Sequence, residues 1–224
     1  MNQTIDLDKQ VVFHLKNVLK TKPFSSIRLV DPQGNGFVAQ LDHTCTKATT
    51  KQPIQHMKDL RNDITLIIAM IKKERLEWTI QKATELGVSR IVLLETNRCV
   101  VKINSNDVEK KLMRFHTIAK EASEQSHRLT IPQIVGPVKI DKLNHYLSQR
   151  NIVLYEKTDH LKKVSIDPNI HSYSVVIGPE GGFNEEEVIA MENLGFVQAS
   201  LTHRILRSET AALMACILFG GYYG

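Results

Sequence analysis

Two stretches near the C-terminal end hold residue types that do chemistry. Ile177-Gly-Pro-Glu-Gly-Gly-Phe-Asn184 places three glycines and a proline after an apolar run. Glycine lets backbone amides and carbonyls approach a ligand closely and take positive φ. Pro179 stiffens the loop. One helix further on, Arg204-Ile-Leu-Arg-Ser-Glu-Thr-Ala211 sets two guanidinium groups and a carboxylate before a final apolar helix. Arg207 has the donor geometry to hold a phosphate or carboxylate bidentately. Glu209 reads two ways, as a working carboxylate or as a charge that suits a helix N-terminus. The glycine stretch alone also reads two ways, as one wall of a ligand pocket or as a tight strand-to-helix turn. It is neither the Gly-x-Gly-x-x-Gly dinucleotide fingerprint nor a Gly-Lys-Ser/Thr phosphate loop.

Two polar stripes lie upstream. Lys82 and Glu85 form an i,i+3 pair, with Arg75 seven residues before Lys82. Glu121, Glu124, Gln125 and Arg128 occupy i, i+3, i+4 and i+7, one face of a helix. Such stripes also arise as solvated faces with weak ion pairs. The three cysteines, Cys45, Cys99 and Cys216, are far apart. With no Cys-x-x-Cys and no His-Glu-x-x-His, the sequence implies no metal and reads as three reduced thiols in a cytoplasmic protein.

These residues need elements to hold them. Ile64–Met70, Arg90–Leu94, Asn151–Tyr155, Tyr173–Ile177 and Phe196–Leu201 read as strands. The first is an apolar run suited to a strand buried on both faces. Helices are expected over Lys72–Leu86 with Gly87 at C′ and over Asp107–Ser126, with Asn106 and Glu109 as a capping box. A third covers Glu185–Leu194, capped by Asn184 with Glu187 at N3 and Gly195 at C′. The last is capped by Ser208 and runs to about Gly220. This alternation predicts an α/β domain with a largely parallel sheet. Ligands in such sheets sit beyond the carboxyl ends of the strands, where the glycine stretch falls.

The first part reads differently. Ser26–Val30 and Gly36–Leu41 flank the turn sequence Asp31-Pro-Gln-Gly-Asn-Gly36. Asp6–Lys20 is expected to be helical, with Val11, Val12, Leu15, Val18 and Leu19 as a stripe. A polar linker is expected near Pro53–Asn62. The division predicted is a small β-rich barrel over 1–62 and an α/β domain over 63–224.

The 224 residues, 42% hydrophobic, suffice for a substantial core in two domains. No run of 18 apolar residues implies a transmembrane helix, so no membrane association is expected. The N-terminus lacks the apolar segment of a secretory signal. Net charge is +5. Residues 1–70 hold 9 Lys+Arg against 6 Asp+Glu, net +3, and residues 71–224 hold 20 against 18, net +2. The shorter part is the more basic per residue, which points to it as the contact with a polyanion.

The glycine stretch and Arg204–Ala211 together resemble the RsmE family of SPOUT methyltransferases. So do Glu77-Trp-Thr-Ile-Gln-Lys-Ala-Thr-Glu-Leu-Gly87, Glu121-Ala-Ser-Glu-Gln-Ser-His-Arg128, Arg98 and Val100-Val-Lys102. The resemblance covers residues 64–224 well and the N-terminal part, as a PUA-like RNA-binding barrel, more loosely. It implies methylation of N3 of one uridine in 16S ribosomal RNA of the small subunit, with S-adenosylmethionine as methyl donor. It also implies a homodimer and a C-terminal trefoil knot around the donor. By the same resemblance the donor meets Leu154, Tyr155, Ile177, Gly178, Glu180, Gly181 and Gly182. Leu201, Ile205, Leu206, Arg207, Thr210 and Ala211 complete its site. RNA is expected at Arg75, Lys82, Glu85, Arg98 and Arg128. The chain departs from the family at Thr202, where members usually carry glycine and where a side chain is expected to narrow the pocket or alter the loop. It departs again at Met1–Ile5, where members begin with an aromatic, arginine-bearing segment.

Methylating N3 requires loss of an imide proton. The expectation is that Arg207 stabilises the uracil anion, with Glu209 orienting it or serving as base. Two other readings stand beside this one. One is a non-catalytic RNA-binding assembly factor, which Thr202 keeps open. The other is a related enzyme that methylates ribose 2′-oxygen on transfer RNA.

Overall fold

The Asp31–Gly36 segment makes the turn its residues call for. Asp31 Oδ1 accepts from the amides of Gln33 at 2.9 Å and Asn35 at 2.8 Å. These bonds hold the carboxyl below its usual range, with the Asn35 side-chain contact the largest cause. The computed structural model describes residues 2–55, 60–101, 103–158 and 166–221. The chain divides into two compact units, Met1–Met57 and Lys58–Gly224.

The first unit contains Thr4–Asp6 (β1), Lys9–Phe13 (α1), Ser26–Val30 (β2), Gly36–Leu41 (β3) and Lys47–Ile54 (β4). The strands form an antiparallel sheet in the order β1-β4-β3-β2. Its small core is Leu15, Ala39, Leu41, Cys45 and Ala48. The helix expected over Asp6–Lys20 is broken. Asp6 belongs to β1, Asp8 caps α1, and His14–Val18 is a π turn. Its wider i→i+5 bonding, with Leu19 N on His14 O at 3.0 Å, shifts the phase of the apolar stripe. Leu15 alone of the five stripe residues is buried; Val11, Val18 and Leu19 are exposed. The expected linker also begins too early. Pro53 and Ile54 pair with Phe37 and Gly36 in β4. Since β1 pairs only with Lys47–Thr49, Pro53 lies on an open flank where its missing N–H is tolerated. Linker residues 56–59 fall outside the described residues.

The second unit runs Asp63–Ala69 (β5), Lys73–Glu85 (α2), Arg90–Leu94 (β6), Val108–Gln125 (α3), Gln133–Val138 (β7) and Arg150–Leu154 (β8). Ser172–Ile177 (β9), Glu185–Asn193 (α4), Val197–Ala199 (β10) and Ser208–Gly220 (α5) complete it. All six strands are parallel, in the order β10-β8-β9-β5-β6-β7. The chain starts at β5, builds outward through β6 and β7, then crosses back to lay β8, β9 and β10 on the other side. β5 is sealed on both faces: Ile64, Leu66 and Ile68 join one core cluster and Ile67 the other. β7 escapes the sequence reading because Gly136 and Pro137 interrupt it, at a register shift against β6. A Cβ at Gly136 would lie 2.6 Å from Leu93 O, so the close strand approach requires glycine.

Three helices end alike. In α2, α3 and α4 the C′ residues Gly87, His127 and Gly195 have φ of 88°, 62° and 94°. In each, the next amide bonds the C3 carbonyl: Val88 to Ala83, Arg128 to Ser123 and Phe196 to Met191. α3 starts differently from expectation. Ser105–Asp107 forms a 3₁₀ turn, and the N-cap is Asp107 without a side-chain bond. The Asn106–Glu109 capping box is therefore absent. Arg128 lies beyond the end of α3, so it does not share a helical face with Glu121. The capping box of Asn184 and Glu187 at the head of α4 forms with both bonds in place.

Candidate functional site

The glycine stretch follows β9 directly and is held from three sides. A turn closes it, with Gly182 N donating to Pro179 O at 2.9 Å. Arg98 Nη1 donates to Gly181 O at 3.0 Å and Phe183 O at 3.5 Å. Glu187, besides capping α4, accepts the Asn97 amide at 2.7 Å and so fixes the segment that carries Arg98. Ser208 does not cap α5. It is the first residue of that helix, the N-cap is Arg207, and its hydroxyl donates to Gly178 O at 2.7 Å. That bond ties the two chemistry-bearing stretches together. Gly182 has φ of 65°, and a Cβ there would stand 2.5 Å from Glu156 Oε1.

The strand ends and both stretches enclose a cavity of about 750 Å³, within the ordinary range of roughly 300–1,000 Å³ for small-molecule sites. Twelve of the thirteen residues expected around the donor line it: Leu154, Tyr155, Ile177, Gly178, Glu180, Gly181, Gly182, Leu201, Ile205, Leu206, Arg207 and Ala211. Thr210, exposed on α5, does not. Arg75, expected at RNA, also lines the cavity. Lining residues not singled out for this role include Glu156, Ser200, His203, Arg204 and Ser208. They sit beside or between named residues on the same loops, so continuity along the chain is the signal that would have found them. Thr202 lines the cavity too, but its Oγ1 is turned back to accept the Arg204 amide at 3.3 Å. Its carbonyl accepts the Ser200 hydroxyl at 2.9 Å. The residue that replaces the usual glycine thus closes a local turn.

The charged residues sort into different tasks. Arg75 lies 3.5 Å from Glu180 Oε1 and 3.8 Å from Glu209 Oε1. Glu209 therefore pairs with Arg75 rather than orienting Arg207, and its Oε2 is buried with no hydrogen bond. Lys82 and Glu85 pair at 2.7 Å near the far end of α2, roughly 10 Å along the axis from Arg75. Arg128 is 9% exposed. Its guanidinium donates to Thr84 O at 2.7 Å, Val88 O at 3.1 Å and Thr130 Oγ1 at 3.3 Å. It fastens the C-terminal end of α2 instead of standing open to a partner. Lys102 lies outside the described residues.

Among the described residues, no group of three or more His, Cys, Asp and Glu side chains is arranged to hold a metal ion. No helix among them is long and apolar enough to cross a membrane. All three cysteines are buried and free, and burial pushes the Cys216 thiol up to about 12.

Residues 58–220 match the family model described as an RNA methyltransferase domain. Ribosomal RNA small subunit methyltransferase E of Mesomycoplasma hyopneumoniae is 32% identical over 201 residues, covering 89% of this chain and 86% of that protein. This chain belongs to the methyltransferase E family. The Bacillus subtilis methyltransferase E is 30% identical over 224 residues, 95% of this chain and 88% of its own. A crystal structure of methyltransferase E from Neisseria gonorrhoeae, bound to S-adenosylmethionine, matches with a TM-score of 0.86 and 30% identity. That match covers 97% of this chain and 91% of the other. The six-strand parallel α/β unit is thus the fold of methyltransferase E structures.

Proposed function

We propose that this chain transfers the methyl group of S-adenosylmethionine to N3 of a uridine in small-subunit ribosomal RNA. The observation that carries the reading is the cavity built on glycine backbone, with Arg207 at its wall. The lining fits the donor. Ile177, Leu201 and Leu206 offer apolar surface to a purine, and Gly178, Gly181 and Gly182, without side chains, let it approach the loop backbone closely. Carboxylates and guanidinium groups are present for the zwitterionic arm.

When bound, S-adenosylmethionine supplies an electrophilic methyl carbon. The chain's own residues prepare the nucleophile. N3 of uridine must lose its proton before its lone pair can attack. Arg207, exposed at the cavity, stabilises the negative charge that develops on the uracil oxygens. Glu209, with Glu180, holds Arg75 in place. Arg75 engages Oε1 of Glu209, which leaves the unbonded Oε2 as the oxygen assigned to the proton if Glu209 serves as base. The target base leaves its stack to reach the cavity.

RNA contacts are assigned to Arg75, Lys82 and Glu85, with Arg98 and Arg128 as braces of backbone. The first unit is assigned to RNA as a PUA-like barrel. Lys9, Lys16, Lys20, Lys22 and Arg28 are all exposed on it, and no Asp or Glu occurs between residues 9 and 30. The reading includes a homodimer and a knotted C-terminal segment.

The test is methyl transfer by Arg207→Ala and Glu209→Gln, with affinity for S-adenosylhomocysteine measured separately. Arg207→Ala should lose turnover by about 10²-fold or more while still binding the product nucleoside. Unchanged turnover in both variants would remove the assignment. Mass spectrometry of ribosomal RNA from cells lacking the protein identifies the nucleotide and the atom.

A further inference from the structure

We propose that the Glu156 carboxylate accepts hydrogen bonds from the ribose diol of the nucleoside in this cavity, an assignment that rests on the S-adenosylmethionine reading above. Three carboxylates stand at or beside the cavity. Glu180 and Glu209 are both engaged by Arg75. Glu156 lines the cavity and is exposed. No ion pair or hydrogen bond engages it among the described residues. Of the three it is the one that no cation engages and that is exposed to the cavity.

Its position narrows what it meets. Glu156 Oε1 lies where a Cβ on Gly182 would come within 2.5 Å, so the carboxylate hangs over bare glycine backbone. Gly182 has φ of 65°, which reserves the position for glycine and keeps that space open. Glu156 follows β8 by two residues, and β8 is the parallel neighbour of β9, with Leu154 opposite Ile177. The glycine stretch follows β9. In doubly wound sheets the same relation recurs: a glycine turn leaves one strand, and a carboxylate at the end of a neighbouring strand takes the ribose hydroxyls. The chemistry matches, because a diol presents adjacent O–H donors and an ionised carboxylate is an acceptor only. Bonds to an ionised acceptor are the stronger kind.

The competing donor on the same ligand is its ammonium group, and calorimetry separates the two. The probes are S-adenosylhomocysteine, methylthioadenosine (which keeps the ribose and lacks the amino-acid arm) and 2′-deoxy-methylthioadenosine. Glu156→Ala should weaken the first two by a similar factor, about tenfold. The wild type should prefer methylthioadenosine over its deoxy form, and the variant should lose that preference. A loss confined to S-adenosylhomocysteine would move Glu156 to the ammonium and overturn the assignment. A preference for the 2′-hydroxyl that survives in the variant would overturn it as well. A wild type that binds neither ribose compound removes the donor pocket itself. A wild type that binds both, beside an unaffected variant, removes this assignment alone. Melting temperatures of variant and wild type should agree, since Glu156 is exposed.

Discussion

Arg98 separates what a residue type announces from what its surroundings make of it. An arginine in a basic protein reads as a phosphate contact. Here its Nη1 donates to carbonyls of Gly181 and Phe183, 83 and 85 positions away in the chain. Arg128 is a similar case, bonded to Thr84 O across 44 positions. Backbone acceptors carry no residue signature, so neither partnership was legible in the sequence. The glycine stretch was, because positive φ and close backbone approach call for that residue type itself. The role of Arg98 makes a separable prediction. Arg98→Ala should weaken binding of S-adenosylhomocysteine about tenfold with no RNA present, because the loop loses its charge-assisted brace. An arginine that served only RNA would leave that calorimetric affinity unchanged.

At the scale of elements, legibility followed the strength of the local code. Continuous apolar runs marked β5, β6, β8 and β9, since a strand sealed on both faces has no polar side to display. Gly87 and Gly195 marked two helix ends. The third end, expected at Ser126, falls there as the C-cap, although a histidine and not a glycine holds the left-handed position after it. β7 was hidden by Gly136 and Pro137, and α1 lost its period at the π turn. The helix ends also carry measurable energies. Asn184→Ala should cost about 1 kcal/mol in urea unfolding of the second unit, the usual loss for an N-cap. His127→Gly should do the reverse, adding about 1 kcal/mol by relieving a side chain at positive φ. A destabilised His127→Gly variant would mean that the imidazole makes a contact worth more than the backbone strain.

At the scale of the molecule, the chain divides into Met1–Met57 and Lys58–Gly224, and the proposed function gives the two units different tasks. The cavity is lined wholly by residues of the second unit. Saturation with S-adenosylhomocysteine at 100 times its dissociation constant should therefore stabilise that unit by about 2.7 kcal/mol. The first unit should unfold at an unchanged denaturant concentration.

The contribution proposed for the first unit is electrostatic. Between residues 9 and 30 it carries four lysines and one arginine, all exposed, with no acidic residue. Each cation that neutralises a phosphate releases a counterion, so RNA affinity falls with salt along a slope set by the number of contacts. Replacing Lys16, Lys20 and Lys22 by glutamine should lower that slope by about 2 on single-stranded RNA. Affinity for S-adenosylhomocysteine should not move, because none of the three lines the cavity. A slope that stays the same would transfer the RNA footprint to the second unit and to Arg75 and Lys82. A reduced slope with intact nucleoside binding assigns the polyanion to one unit and the chemistry to the other.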